Sequence, residues 1–313
     1  MKRIKEILVF LTILITTIPL TDLFAGSSQA DGERYYQLDE IAKFAKKVER
    51  ELAKRGARVA LVARVGRDRS DLPAGINFTH VGFAVYSKIT TGDGRDIFGY
   101  TMYNLYQRTG ELDKSDLIED FPVDFFAGVQ VLEAGIVIPT PELQKRLLAV
   151  LTSPTYRELH RPAYSVIANP FTTEFQNCTE FALNVITAAI YQTDNKEVIK
   201  ANLQKYFHPH KLDINPFKLM LGSVLAADVT TTDHPDSIVT ATYTTISSFL
   251  SKYSLTDEIF VIKPDAHPEN AETEKPITSA ERPAGSNNRV GQEYRSAVTD
   301  LICTLDSLQG GWS

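Results

Sequence analysis

The run Gln176-Asn-Cys-Thr-Glu-Phe-Ala-Leu-Asn-Val-Ile186, which stays apolar almost to Tyr191, restricts this chain more than any other feature. Its spacing predicts a helix from about Cys178 to Tyr191. A helix this apolar on every side is stable only when other elements cover it, so the chain must build layers around it. The 313 residues suffice for that, at 43% hydrophobic and 23% charged. Those proportions exclude collagen-like, coiled-coil and wholly disordered chains.

Cys178 is one of only two cysteines, the other being Cys303. Two thiols exclude a disulfide-stapled miniature and a structural zinc site of three or four thiolates. At the first turn of a helix, unsatisfied N–H groups and the positive end of the dipole stabilise an anion. A thiolate there suits a nucleophile. The residues equally allow a small buried side chain or half of a disulfide.

Residues 1–30 read as a cleaved signal peptide. Lys2, Arg3 and Lys5 precede an apolar run from Ile7 to Leu20, and small residues surround Ala25 and Ala30. That run is short for a membrane span, which needs roughly 20 residues; a retained anchor is the alternative. The net charge is −6, and losing the leader makes the chain more acidic. With no Lys/Arg cluster, a nucleic-acid partner is not expected. The expected location is outside the cytoplasm, periplasmic or extracellular, where thiols can oxidise.

Apolar periodicity predicts a helix over 36–55 and a buried strand over 58–65. Strands follow over 77–86 and 96–106, joined as an antiparallel hairpin by Thr91-Gly-Asp-Gly94. Further along, the pattern predicts an extended run from Val129 to Ile138, a helix over 141–151 and a short strand from Tyr164 to Ala168. Helices are expected over 195–206 and 215–226, with strands over 238–245 and 257–263 flanking a short helical piece. Residues 31–263 thus form the expected domain. The Pro-rich, acid-rich stretch 264–288 reads as a linker, and 289–313 as a helical tail carrying Cys303.

A nucleophilic cysteine needs a base from elsewhere in the chain. Five of the six histidines sit near loop-forming residues; His80 lies mid-strand in Phe-Thr-His-Val-Gly-Phe83. It is either a core histidine or part of a site. Gly82, on the same face, leaves room for another group, and the Cys178 helix is the expected neighbour. His208-Pro-His210 lacks a third ligand in register, and Asp233-His234 reads as a loop or helix start, so no metal or cofactor is expected. Arg64, Arg67 and Asp68 are expected to form surface ion pairs, with an Arg holding a substrate carboxylate as the alternative.

A strand carrying His-Val-Gly82, followed about a hundred residues later by Asn-Cys-Thr opening a helix, resembles the circularly permuted papain-like superfamily. That group includes permuted NlpC-type peptidases and relatives of lecithin:retinol acyltransferase. The segments Arg58–Arg67 and Asn104–Gln107 resemble more closely an uncharacterised family of secreted bacterial proteins, domain of unknown function 2145, over roughly 36–263. The resemblance implies an α+β, papain-like fold: an antiparallel sheet packed on the cysteine-bearing helix, with extra helices. It also implies a third polar residue on the strand after the histidine. Period-2 alternation places Phe98, Tyr100, Met102, Asn104 and Tyr106 on one face, which makes Asn104 the candidate and Gln107, on the other face, the runner-up.

The implied chemistry is a cysteine hydrolase or acyltransferase. His80 takes the thiol proton, Asn104 holds the ring tautomer, and the thiolate attacks an amide or ester carbonyl. The Cys178 N–H supplies half of an oxyanion hole, with Gln176 and Tyr164 as candidates for the second donor. The expected substrate is a peptide or amidated cell-wall fragment, with lipid or ester acyl groups second. The alternative is a non-catalytic envelope binding or scaffold protein of the same fold, in which Cys178 is structural or bridged to Cys303.

Overall fold

The run Val59-Ala-Leu-Val-Ala-Arg-Val65 has no polar alternation, which marks a strand covered on both faces. The computed structural model, which describes residues 34–212 and 229–265, places it at the heart of the molecule. Helix α1 (Leu38–Lys54) leads into β1 (Val59–Val65). The hairpin β2 (His80–Thr90) and β3 (Asp96–Arg108) turns directly into β4 (Glu111–Asp120). A short helix α2 (Pro122–Phe125) precedes β5 (Val131–Pro139), and helices α3 (Pro141–Leu151) and α4 (Pro154–Glu158) follow. The apolar helix α5 (Cys178–Tyr191) and α6 (Lys196–Tyr206) come next. The short pair β6 (His210–Lys211) and β7 (Val239–Thr240) then leads to α7 (Tyr243–Lys252) and β8 (Thr256–Ile262).

Six strands form one sheet in the order β4-β3-β2-β1-β5-β8. Every neighbouring pair is antiparallel. The molecule is a mixed α/β protein with helices on both faces of that sheet. Leu61, Ala63, Val81, Phe83, Leu105 and Val137 share one core with α3, α5, α6 and α7. Ala60, Val62, Ala84, Met102, Ala134 and Ile136 share the other with α1 and with Phe125 and Phe126. Burying a large aliphatic or aromatic side chain stabilises by roughly 1.5–3 kcal/mol. The double-sided cover of β1 and β5 is therefore the main source of stability. No helix among the described residues is long and apolar enough to cross a membrane.

Three expectations change. β4 is unforeseen because Glu-Leu-Asp-Lys-Ser-Asp-Leu-Ile-Glu-Asp is rich in charge, as suits an edge strand that must not recruit further strands. Tyr164–Ala168 is a loop with a single bridge from Tyr164 to Gln176. It is held instead by a buried clamp, in which Asp233 accepts from the Asn169 N–H at 2.9 Å. Of the strand expected over 238–245, only Val239–Thr240 is extended. Thr242 and Thr245 form a reciprocal capping box that starts α7, and this local signal overrides the β-branched run. The leader, the helix expected over 215–226, nearly all of the linker and the tail lie outside the described residues.

Gly135 of β5 lies beneath two rings: an added Cβ would sit 2.8 Å from Tyr243 and 2.9 Å from Phe78. At Gly99 the nearest neighbour is the Ile89 Cδ1 methyl at 3.2 Å, the end of a flexible side chain. Gly135→Ala is therefore expected to destabilise by about 1–3 kcal/mol in urea unfolding, with Gly99→Ala close to neutral. Equal effects would contradict this packing.

Candidate functional site

Asn177 is the N-cap of α5, its Oδ1 accepting from the Glu180 N–H at 2.8 Å. Such a cap is worth about 1 kcal/mol, and it places Cys178 as the first helical residue. Every residue from Cys178 to Ala189 is buried. Within this helix Glu180 has a structural task. Its carboxylate pairs with Lys200 of α6, and Lys200 also donates to Asn184 Oδ1 and to the Pro170 carbonyl, each at 3.0 Å.

Cys178 is 4% exposed and lines a cleft between the loop after β1 and the segments around Val166 and Thr240. Its sulfur lies 3.9 Å from the carbonyl oxygen of Thr79, the residue before His80. Asn177 is buried and spends its amide on capping and on the Val166 carbonyl.

His80 is wholly buried, and its ring leaves β2 on the α1 and α2 side of the sheet, opposite to α5. It stacks on Tyr106 with centroids 4.8 Å apart and meets Phe125 at 5.5 Å. The β2–β3 ladder ends at the Gly82–Asn104 pair, so the two strands are not paired beside His80. Asn104 lies over Gly82, whose absent Cβ would fall 2.2 Å from Asn104 Oδ1. The neighbour that needs this glycine is thus Asn104, not the Cys178 helix.

A chain of polar contacts runs behind the imidazole. Asn104 Nδ2 donates to Asp120 Oδ1 at 2.7 Å, and the Tyr106 hydroxyl donates to Asp120 Oδ2 at 2.9 Å. Asp120 thereby turns Asn104 Oδ1 towards His80 Nε2, 3.4 Å away. That distance is long for a hydrogen bond, yet it selects the tautomer with the proton on Nε2. Nδ1 then carries the lone pair, and it has no hydrogen-bond partner among the described residues. Burial, and then the charge of Arg64, hold the His80 pKa well below the usual histidine value, against the opposing pull of Asn104. The ring is neutral at pH 7, the state a base requires. Burial pushes the Asp120 carboxyl up to about 7.

The structure thus brings His80 and Asn104 together and places Cys178 next to the backbone that carries His80. Neither ring nitrogen is hydrogen-bonded to the sulfur. Gln107 is elsewhere, donating to the Leu112 carbonyl. Gln176 uses both ends of its amide on the Arg161 N–H and the Leu159 carbonyl, whereas Tyr164 lines the cleft. Arg64 is no surface residue. It is 1% exposed, donates to the Phe125 carbonyl and lies 5.4 Å from the Tyr106 ring centre. Stacking and a carbonyl hold a cation that solvent would otherwise hold. His234 contacts Asp233 at 3.3 Å and the Ile167 carbonyl at 2.9 Å, as part of the loop clamp. No group of three or more metal-ligating side chains occurs among the described residues.

Asp120, Tyr106 and Arg64 are the members of this network that sequence reasoning did not find. Asp120 ends the strand that charge concealed, and only the register with β3 brings it beside Asn104.

The raised Asp120 pKa has a thermodynamic consequence. The stability it contributes is full below the unfolded value of about 4 and is lost as pH rises through about 7. Asp120→Asn lacks that component. Its urea midpoint relative to the parent is expected to shift in the variant's favour between pH 5 and pH 8. A constant difference across that range would contradict the assignment.

Residues 51–250 match a family model described as "Uncharacterized protein conserved in bacteria (DUF2145)". No curated protein and no solved structure matches the chain.

Proposed function

Since the chain belongs to the uncharacterised bacterial family DUF2145, whose description carries no activity, we propose from the site alone that it is a cysteine hydrolase or acyltransferase acting outside the cytoplasm. The observation that carries this reading is the position of Cys178. It opens α5 in a cleft wall, with its sulfur 3.9 Å from the peptide oxygen just ahead of His80. In this reading His80 and Asn104 act as a papain-like pair, one imidazole nitrogen oriented by the amide and the other serving as base.

The reaction runs in two steps. His80 Nδ1 takes the Cys178 proton, and the thiolate, stabilised at the start of α5, attacks an ester or amide carbonyl. The Cys178 N–H and the Tyr164 hydroxyl are the oxyanion donors of this reading. The imidazolium proton passes to the leaving group as the acyl–sulfur bond forms. Water, deprotonated by His80, or an acceptor alcohol or amine then takes the acyl group from the sulfur. In this structure the ring and the thiol lie on opposite faces of the sheet, so this reading requires the His80 ring to reach the α5 face before the proton is transferred. Catalytic hydrogen bonds often tighten only in the substrate complex.

A second reading is a non-catalytic binding or scaffold protein of the same fold. It is favoured by the burial of His80 and its stacking on Tyr106, on the face away from α5. In that reading Cys178 is structural or bridged to Cys303, which lies outside the described residues.

Alkylation of the native chain by iodoacetamide across pH, with the labelled residue mapped by mass spectrometry, separates the two. The hydrolase reading expects Cys178 to react well below pH 8. It also expects at least a tenfold slower rate at pH 7 in His80→Ala and a smaller loss in Asn104→Ala, each with its melting curve recorded. A rate that tracks an ordinary thiol and ignores His80 removes the catalytic reading.

A further inference from the structure

The cleft that Cys178 lines has largely apolar walls, as small-molecule sites do. Leu72, Ile76, Phe78, Val166, Ile167 and Leu212 give much of its wall. Five polar side chains of the lining are engaged by the protein itself. Thr79 Oγ1 accepts from the Gly66 N–H at 2.8 Å, and Thr179 Oγ1 donates to the Ala241 carbonyl at 2.8 Å. Thr240 Oγ1 donates to the Ala168 carbonyl at 3.3 Å. Thr242 Oγ1 accepts from the Thr245 N–H at 3.1 Å, and Asn177 caps α5 while donating to the Val166 carbonyl. The two charged residues of the lining, half-buried Arg67 and exposed Asp71, belong to the loop at the outer side.

A peptide laid into such walls must strip water from its N–H and C=O groups and finds few partners in exchange. A methylene chain demands none. We propose that this cleft holds the straight hydrocarbon chain of a fatty acyl group. An acyl ester, rather than a peptide, is then the substrate class of the Cys178 site. The choice of substrate rests on the hydrolase reading; the binding of the chain does not.

Binding of hexanoate, octanoate, decanoate, laurate and palmitate to the full chain carrying Cys178→Ser tests this without chemistry at the thiol, read by displacement of an anilinonaphthalene sulfonate dye. The Kd is expected to fall about fourfold per added methylene until the cleft is full, the change equivalent to ~0.8 kcal/mol per buried CH₂. Ile76→Trp, at a half-buried loop position, is expected to move the plateau to a shorter chain. Val198→Glu, on the exposed side of α6, leaves the series unchanged. A Kd independent of chain length overturns the proposal, as does a plateau that Ile76→Trp does not move or displacement by a capped alanine peptide as effective as by laurate. A steep series with an unreactive Cys178 keeps the acyl site and removes the catalytic reading. A flat series with a reactive Cys178 removes the acyl site alone.

Discussion

The packing of α5 against the sheet is the contact on which the rest depends. Its side chains from Cys178 to Ala189 are buried, against strands that are themselves apolar on that face. The helix cannot exist exposed, and β1 cannot exist uncovered. The polar contacts around it are refinements by comparison. A buried ion pair such as Glu180–Lys200 roughly balances its own desolvation, so it fixes how α5 sits against α6 more than whether it folds. The Asn177 cap fixes where the helix begins, and therefore where the thiol lies.

The other face of the sheet solves a different problem. Arg64, His80, Asn104, Tyr106 and Asp120 are all buried polar or aromatic-polar groups, and each would be costly alone. Together they share donors and acceptors: a carbonyl and two rings for Arg64, an amide for His80, a carboxyl for Asn104 and Tyr106. The cost that remains appears as displaced acidity, with His80 held neutral and Asp120 hard to ionise. Such displacements collect at functional sites, although structural networks produce them too. This one lies on the face of the sheet away from α5, its backbone one peptide group from the Cys178 sulfur.

Much of the fold could be read from pattern. The helices at 38–54, 141–151, 178–191 and 196–206, the hairpin of β2 and β3, and β5 all follow from periodicity and turn chemistry. The shared face of Tyr100, Met102 and Asn104 follows from strand alternation, and His80 and Asn104 both stand out in the sequence, whereas their contact does not. The edge strand β4 was not legible, because its charges report solvent on one side rather than pairing on the other. Asp120 was lost with it. Arg64 was misjudged because an arginine at the end of an apolar strand normally reaches water. Here the Tyr106 and Phe125 rings close over it.

The sequence by itself determined that a buried helix begins with Cys178, that a histidine sits in a strand two residues before a glycine, and that helices accompany strands joined as an antiparallel hairpin. These are local matters, decided by periodicity, caps and turn residues within a few positions. Only the tertiary structure decided which face of the sheet each side chain takes, because that depends on register between strands far apart in sequence. It put Asn104 over Gly82, gave Asp120 to Asn104 and sent the His80 ring to the side away from α5. It also engaged Thr79, Asn177, Thr179, Thr240 and Thr242 of the Cys178 cleft with the protein's own backbone.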